Sequence, residues 1–115
     1  MKKIFPVLLL CLLSFQAFAD TVVVAAAANL QFVLEELKTE FTQETGTSVN
    51  SVIGSSGKLT TQIENGAPFD IFMSADMDYP QTLFQEGLAL EKPRSYAHGA
   101  LVLWTMGDAD LSKGL

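Results

Sequence analysis

One cysteine and one histidine stand in the 115 residues, Cys11 and His98. That is too little for a disulfide framework or a thiolate zinc site. A Cys–His dyad or a His/Cys metal cluster has no basis, and a Ser-His-Asp triad would hang on His98 alone. Basic residues are also few. Seven Lys and Arg face 13 Asp and Glu, a formal net charge of −6. No basic run is present, so non-specific nucleic-acid binding, whose affinity comes from neutralised phosphates, is not expected. No hydrophobic run reaches the roughly 20 residues that span a bilayer as a helix. What remains is a chain with 49% hydrophobic residues, a globular composition rather than a low-complexity or disordered one.

The longest apolar run, Ile4 to Phe15, has 12 residues. Lys2 and Lys3 precede it, and Ala17-Phe18-Ala19 and Asp20 follow it. A basic start, a short apolar run and a small-x-small site together read as a secretory signal peptide over residues 1–19, cleaved after Ala19. Cys11 lies inside the apolar run, which is not where a lipoprotein acceptor stands. Cleavage removes two lysines and no acid, so the charge of −6 becomes −8. The exported part then has no cysteine.

The remainder alternates strand-like and helix-like stretches. Thr21 to Ala27 is a continuous apolar run, β-branched in its first half, which suits a strand buried on both faces of a parallel sheet. Asn29 stands at an N-cap position. Leu30, Val33, Leu34, Leu37 and Phe41 then recur at helical spacing, with Glu35, Glu36, Lys38 and Glu40 on the other face. Gly46 stops this helix. Ser48 to Ile53 predicts a second strand, and Gly54-Ser55-Ser56-Gly57 a tight loop. A short helix follows, including Leu59 and Ile63 and ending near Gly66. Phe69 to Met73 predicts a third strand, with Ser74-Ala75-Asp76 as its exit loop. Pro80 suits the first turn of a helix running to Gly87. Ala100 to Thr105 predicts a fourth strand. The order β-α-β-α-β-α-β with short connections predicts an α/β fold, a doubly wound and mostly parallel sheet.

In such sheets ligands sit at the carboxyl ends of strands. Ala28-Asn29, Gly54 to Gly57 and Ser74 to Asp76 occupy those ends. The first two offer hydroxyls, an amide and backbone N–H groups, with no Lys or Arg before Lys58. A helix N-terminus adds unsatisfied donors and the positive end of its dipole, so an anion can be held without formal cations. Gly54 and Gly57 would let the backbone approach a ligand closely. Taken alone, Gly54 to Gly57 reads first as an ordinary strand-to-helix turn with serine capping, and Asn29 first as a helix cap. A P-loop fails, because Val52 and Leu59 stand where it needs glycine and Ser/Thr. A GxSxG elbow around Ser56 fails at Lys58. Asp70 and Asp76 read as loop-stabilising acids, and His98 as a surface or loop residue.

The segments AAAANL (25–30), ETG (44–46) and GSSGKLTTQIENGAPFDIFMSAD (54–76) resemble the periplasmic molybdate-binding proteins of ABC transporters. The resemblance runs through residues 21–105. It implies a type II periplasmic-binding-protein fold with two lobes: residues 20–98 as the first lobe and residues 99–115 as the start of the crossover into a second lobe that is truncated here. It implies molybdate or tungstate as transported ligand, an ABC permease as membrane partner, a monomer, no cofactor, no enzymatic activity and no metal apart from the molybdenum of the oxyanion. Carried over, the ligand loops fall at Ala28-Asn29 and Ser55-Ser56. Many members have Ser where this chain has Asn29, which affects only which group donates there. The remaining ligands, a tyrosine hydroxyl among them, belong to the second lobe, and Tyr79 and Tyr96 do not match it. A chain with half a cleft is expected to bind oxyanion weakly or not at all, and to expose an apolar face at Ala100–Thr105.

Molybdate is fully deprotonated near neutral pH and only accepts hydrogen bonds, so a site of pure donors suits it. Hydrogen phosphate wants an acceptor carboxylate, which neither Asn29 nor Ser56 supplies. Sulfate or thiosulfate remains the alternative ligand on the same fold, to be separated by size. About 5–7 charge-assisted hydrogen bonds, each worth roughly 1.5–3 kcal/mol, outweigh screened repulsion from the acidic surface. An exported hydrolase using Ser56 with His98 is the competing enzymatic reading, and no spacing ties those two residues together.

Overall fold

The structure is a computed structural model in which residues 20–102, 104, 106, 107 and 112 are described. The expected signal segment, 1–19, lies outside the described residues, as do Leu103 and Thr105.

The β-branched run becomes strand β1, Thr21–Ala27. It is the centre of a three-stranded parallel sheet, flanked by β2 (Ser48–Gly54) and β3 (Ile71–Met73). Register pairs Ala27 with Gly54 and Ala26 with Met73, so the carboxyl ends of all three strands meet at one edge. Val24 to Ala27 are buried, as a central strand covered on both faces requires.

Side chains alternate across a strand, so Val22, Val24 and Ala26 share one face. Leu34 of helix α1 (Gln31–Thr45) packs there, with Val49, Ile53 and Met73 around it. Ala25, Ala27 and Gly54 share the opposite face. Against it lies Leu59 of helix α2 (Ser56–Glu64), almost fully buried, its side chain 3.4 Å from where a Cβ on Gly54 would stand. Helix α3 (Asp78–Gln85) packs on α2. The sheet is thus wound on both faces, as expected from the alternation. Lys38 Nζ ties α1 to β2 by donating to Ser51 Oγ at 3.2 Å. Gly46 ends α1 in the left-handed region, φ +74°, and its N–H donates to the Thr42 carbonyl. A Cβ disfavours that conformation, which is why glycine stands there.

Asp70 fastens the sheet just before β3. Its backbone N–H donates to the Val23 carbonyl at 2.9 Å, and its carboxylate Oδ2 accepts from the Val23 N–H at 2.8 Å. One residue thereby satisfies both polar groups of Val23 on that side and sets the register of the strand that follows.

Four expectations need correction. Of the apolar stripe on α1 only Leu34 is buried; Val33, Leu37 and Phe41 are 47%, 50% and 43% exposed. Three strands about 4.8 Å apart give a sheet roughly 10 Å wide, the width of one helix, so only one line of α1 is covered. Gly54 to Gly57 is not a loop. Gly54 ends β2, Ser55 is the whole connection, and Ser56 and Gly57 begin α2. The third strand starts at Ile71, because Phe69 and Asp70 turn the chain into register. Finally, Leu88 to Val102 and Trp104 form no helix or strand. The expected fourth strand is therefore absent at its described residues, since no neighbouring strand offers it a ladder.

Asp70→Ala is expected to cost about 1–3 kcal/mol in urea unfolding, because the Val23 N–H loses a charged acceptor. Glu36→Ala, on the solvent side of α1, should stay within about 0.5 kcal/mol of the parent.

Candidate functional site at the strand ends

At the shared carboxyl edge the chain leaves each strand differently. After β1, Ala28 to Leu30 form a 3-10 turn that leads directly into α1. Asn29 sits inside that turn rather than at an N-cap, and its side chain caps neither helix start. The cap reading is thus overturned: the tight turn carries the Asn29 side chain past the position from which it could reach the first amides of α1. Ala28 and Asn29 are both exposed, and the Asn29 amide has no hydrogen-bond partner among the described residues.

After β2, Ser55 caps α2, its Oγ accepting from the Lys58 N–H at 3.3 Å. The Leu59 N–H reaches the Ser55 carbonyl at 3.0 Å. The helix itself offers no acceptor to the N–H groups of Ser56 and Gly57. Ser56 is buried, and its Oγ accepts from the Ala75 N–H at 3.0 Å. A hydroxyl has one proton and two lone pairs, so this bond occupies an acceptor direction and leaves the proton available.

After β3, Ser74 is buried and its Oγ accepts from the Asp76 N–H at 3.3 Å. Asp76 Oδ1 in turn accepts from the N–H groups of Asp78 and Tyr79, at 3.0 and 3.3 Å, and so caps α3. Its reading as a loop-stabilising acid is borne out. Tyr96 returns across the edge from 22 residues away and donates its hydroxyl to the Ser74 carbonyl at 2.7 Å. Burial pushes the Tyr96 hydroxyl above its ordinary pKa, so it is a protonated donor through the neutral range.

Asn29, Ser74, Asp76, Arg94, Tyr96 and His98 help to line an open cavity of about 340 Å³ at this edge. Ala28, Ser55 and Ser56 do not line it; Ser56 is joined to this edge through the Ala75 N–H. Arg94 is highly exposed and pairs with Glu91 at 3.7 Å, an exposed ion pair that contributes little. His98 is exposed and shares no hydrogen bond with Ser56, so the nucleophile–base geometry that a hydrolase needs is missing between them. Among the described residues no group of His, Cys, Asp and Glu could hold a metal ion.

The two glycines serve packing rather than access to a ligand. A Cβ on Gly57 would stand 2.9 Å from Tyr79 Oη and 3.3 Å from its Cζ. Gly57 is therefore the seat of the Tyr79 ring, where α3 meets α2, and Gly54 is the seat of Leu59. The residues that sequence reasoning missed are Ser74, Ala75 and Tyr96. The loop of the first two is visible as a strand exit. No local signal marks Tyr96, because its bond spans the whole of α3 and the turn beyond.

Gly57→Ala should displace the hydroxyl end of the half-exposed Tyr79 ring, and so stabilise the fold less than the same change does once Tyr79→Ala is in place, where it should contribute about 0.4–1 kcal/mol of chain-entropy benefit within α2. Thermal unfolding of the four-variant cycle reads the difference.

The sequence pattern of the family described as bacterial extracellular solute-binding protein matches residues 22–113. The molybdate-binding protein ModA of Rhodobacter capsulatus is 41% identical over 98 residues, which are 84% of this chain and 39% of that protein. ModA of Azotobacter vinelandii is 40% identical over 95 residues, 82% of this chain and 38% of that protein. This chain thus spans about two fifths of the length of these relatives. The solved periplasmic molybdate-binding protein of Azotobacter vinelandii superposes with a TM-score of 0.57 at 41% identity, over 57% of this chain and 29% of that one. With the parallel sheet, its helices and the strand-end loops in place, the match over residues 22–113 assigns this chain to the bacterial extracellular solute-binding protein family, whose members bind solutes rather than transform them.

Proposed function

We propose that residues 20–98 form one wall of a molybdate site in an exported binding protein that serves an ABC importer, with tungstate as an equivalent cargo. The observation that carries this reading is the state of Ser56. Its Oγ accepts from the Ala75 N–H, which leaves its proton to donate outward. The unpaired amides of Ser56 and Gly57, at the positive end of the α2 dipole, add donors beside it. Asn29, with an unpartnered side-chain amide on the adjacent strand end, adds another. Ala28 and Ser55 contribute backbone at the same edge. No Lys or Arg stands in these loops, and the one free carboxylate oxygen nearby belongs to Asp76, whose other oxygen is already occupied by two N–H groups. Such a set of donors suits an ion that has no proton to give.

The relatives are molybdate-binding proteins, and their identity to this chain, about two fifths of the aligned positions, is the ground for carrying that ligand over. The rest of the reading follows the same resemblance. Residues 1–19 act as the export signal, residues 20–98 form the first lobe, and residues 99–115 lead toward a second lobe that supplies the remaining ligands. The mature protein is a monomer in the periplasm until it meets the permease. The exposure of Ala28, Asn29 and Ser55 agrees with a wall that another part of the protein covers. Sulfate or thiosulfate is the alternative cargo, since each is also a pure acceptor. Ordered by fit to a closed cleft, tungstate should displace molybdate in a competition titration where sulfate at equal concentration does not.

Ser56→Ala should weaken molybdate binding at least about tenfold, because a charge-assisted hydrogen bond and the Ala75 N–H acceptor go together. Calorimetric titration of molybdate into the 115-residue chain should show binding weaker than micromolar. Micromolar or tighter binding would contradict the need for a second wall.

A further inference from the structure

The peptide group that joins Ser74 to Ala75 is gripped at both poles. Its carbonyl oxygen accepts from Tyr96 Oη at 2.7 Å, and its N–H donates to Ser56 Oγ at 3.0 Å. We propose that Tyr96 is a positioning residue for anion binding, acting through this peptide group on the Ser56 hydroxyl. The inference rests on the reading of Ser56 as an anion donor.

The physical reason lies in the direction of the bonds. In a trans peptide the C=O and N–H point opposite ways along nearly one line. A donor on the oxygen draws electron density from the nitrogen and makes the N–H a stronger donor. Ser56 Oγ, accepting from that N–H, becomes a stronger donor through its own proton. All three bonds run the same way, from the Tyr96 hydroxyl through the peptide group and the Ser56 hydroxyl to the anion, and such chains reinforce one another. The bonds also fix geometry. Ser74 is 6% exposed and Ser56 is 8% exposed, so the relay is shielded from competing water at both serines, while the Tyr96 ring, 52% exposed, forms its solvent end. Ser74 Oγ holds the Asp76 N–H, which keeps the peptide group from rotating. Tyr96 itself stands in the Arg94–Gly99 stretch that lines the cavity beside Asn29. The relay therefore links one rim of the cavity to the donor at the start of α2.

Tyr96→Phe removes only the hydroxyl. Amide NMR titration of the chain with sodium molybdate, followed at Ser56 and Gly57 into the millimolar range, reads the affinity of the folded molecules directly. Tyr96→Phe should weaken binding by about threefold to tenfold. In a Ser56→Ala background, titrated over the same millimolar range, the same change should have no further effect, because the relay has lost its terminus. The Ala75 amide proton should move upfield in Tyr96→Phe without ligand, as its hydrogen bond weakens. A purely structural tyrosine would lower the unfolding temperature and leave the affinity of the folded chain unchanged. That outcome, or equal weakening in the presence and absence of Ser56, overturns the relay while leaving the anion site standing. If Ser56→Ala leaves the affinity unaltered, the anion site fails and the relay fails with it. Should Tyr96→Phe not fold, the parent chain decides. The ring-carbon resonance of Tyr96 beside its hydroxyl should shift with the molybdate midpoint seen at Ser56; a resonance that stays fixed through the titration overturns the relay.

Discussion

The hydrogen bond from the Ala75 N–H to Ser56 Oγ joins two elements that the sheet alone would leave apart. α2 carries the chain from β2 across the central strand to β3, and this bond closes the exit of β3 back onto the start of that helix. It has two consequences. The loop after β3 is held against the α2 N-terminus, so the strand-end edge has a defined shape. The Ser56 hydroxyl is also committed as an acceptor there, which leaves its proton available to donate. Asp70 performs the matching task at the other end of β3, where it satisfies both backbone groups of Val23. A strand of three residues is thus secured at both ends by side chains, which compensates for the few ladder bonds it makes itself.

Charge works in an unexpected direction at this edge. The chain is acidic, and the nearest cation to the cavity, Arg94, is exposed and paired with Glu91. In the proposed site neutral dipoles carry the attraction instead. Backbone amides and hydroxyls that are already oriented by the fold need little reorganisation when an anion arrives, whereas a flexible ammonium group would have to lose its hydration and its freedom first. Screening by salt limits the opposing field of distant carboxylates to about 8–10 Å, while the dipoles act at contact.

Much of the fold is legible in the residue order, for reasons that are local. The TVVVAAA run, the helical spacing after it and Gly46 each encode a conformation within a few residues, and β1, α1 and its end follow directly. The limits appear where a partner decides. Val33, Leu37 and Phe41 carry the pattern of a buried stripe, but a narrow sheet covers only Leu34. Ala100 to Thr105 has the composition of a strand, but its described residues pair with nothing. The same division runs through the site. Ser55 and Ser56 are visible as a capped helix start after a strand. The role of Tyr96 is not, since a bond across 22 residues leaves no periodic or compositional trace. Gly57 misleads in a specific way: its lack of a side chain suggests room for a ligand, whereas the space is filled by the Tyr79 ring.

The central claim is that an oxyanion is gripped by oriented neutral donors at the start of α2 and beside Asn29. A crystal structure with tungstate, located by the anomalous scattering of the metal, tests it most directly. The account predicts the tungsten peak at the carboxyl edge of the sheet, with oxygens in hydrogen-bond contact with Ser56 Oγ and with the amides that open α2. A peak resting on lysine or arginine side chains, or elsewhere on the molecule with Ser56 untouched, would contradict it.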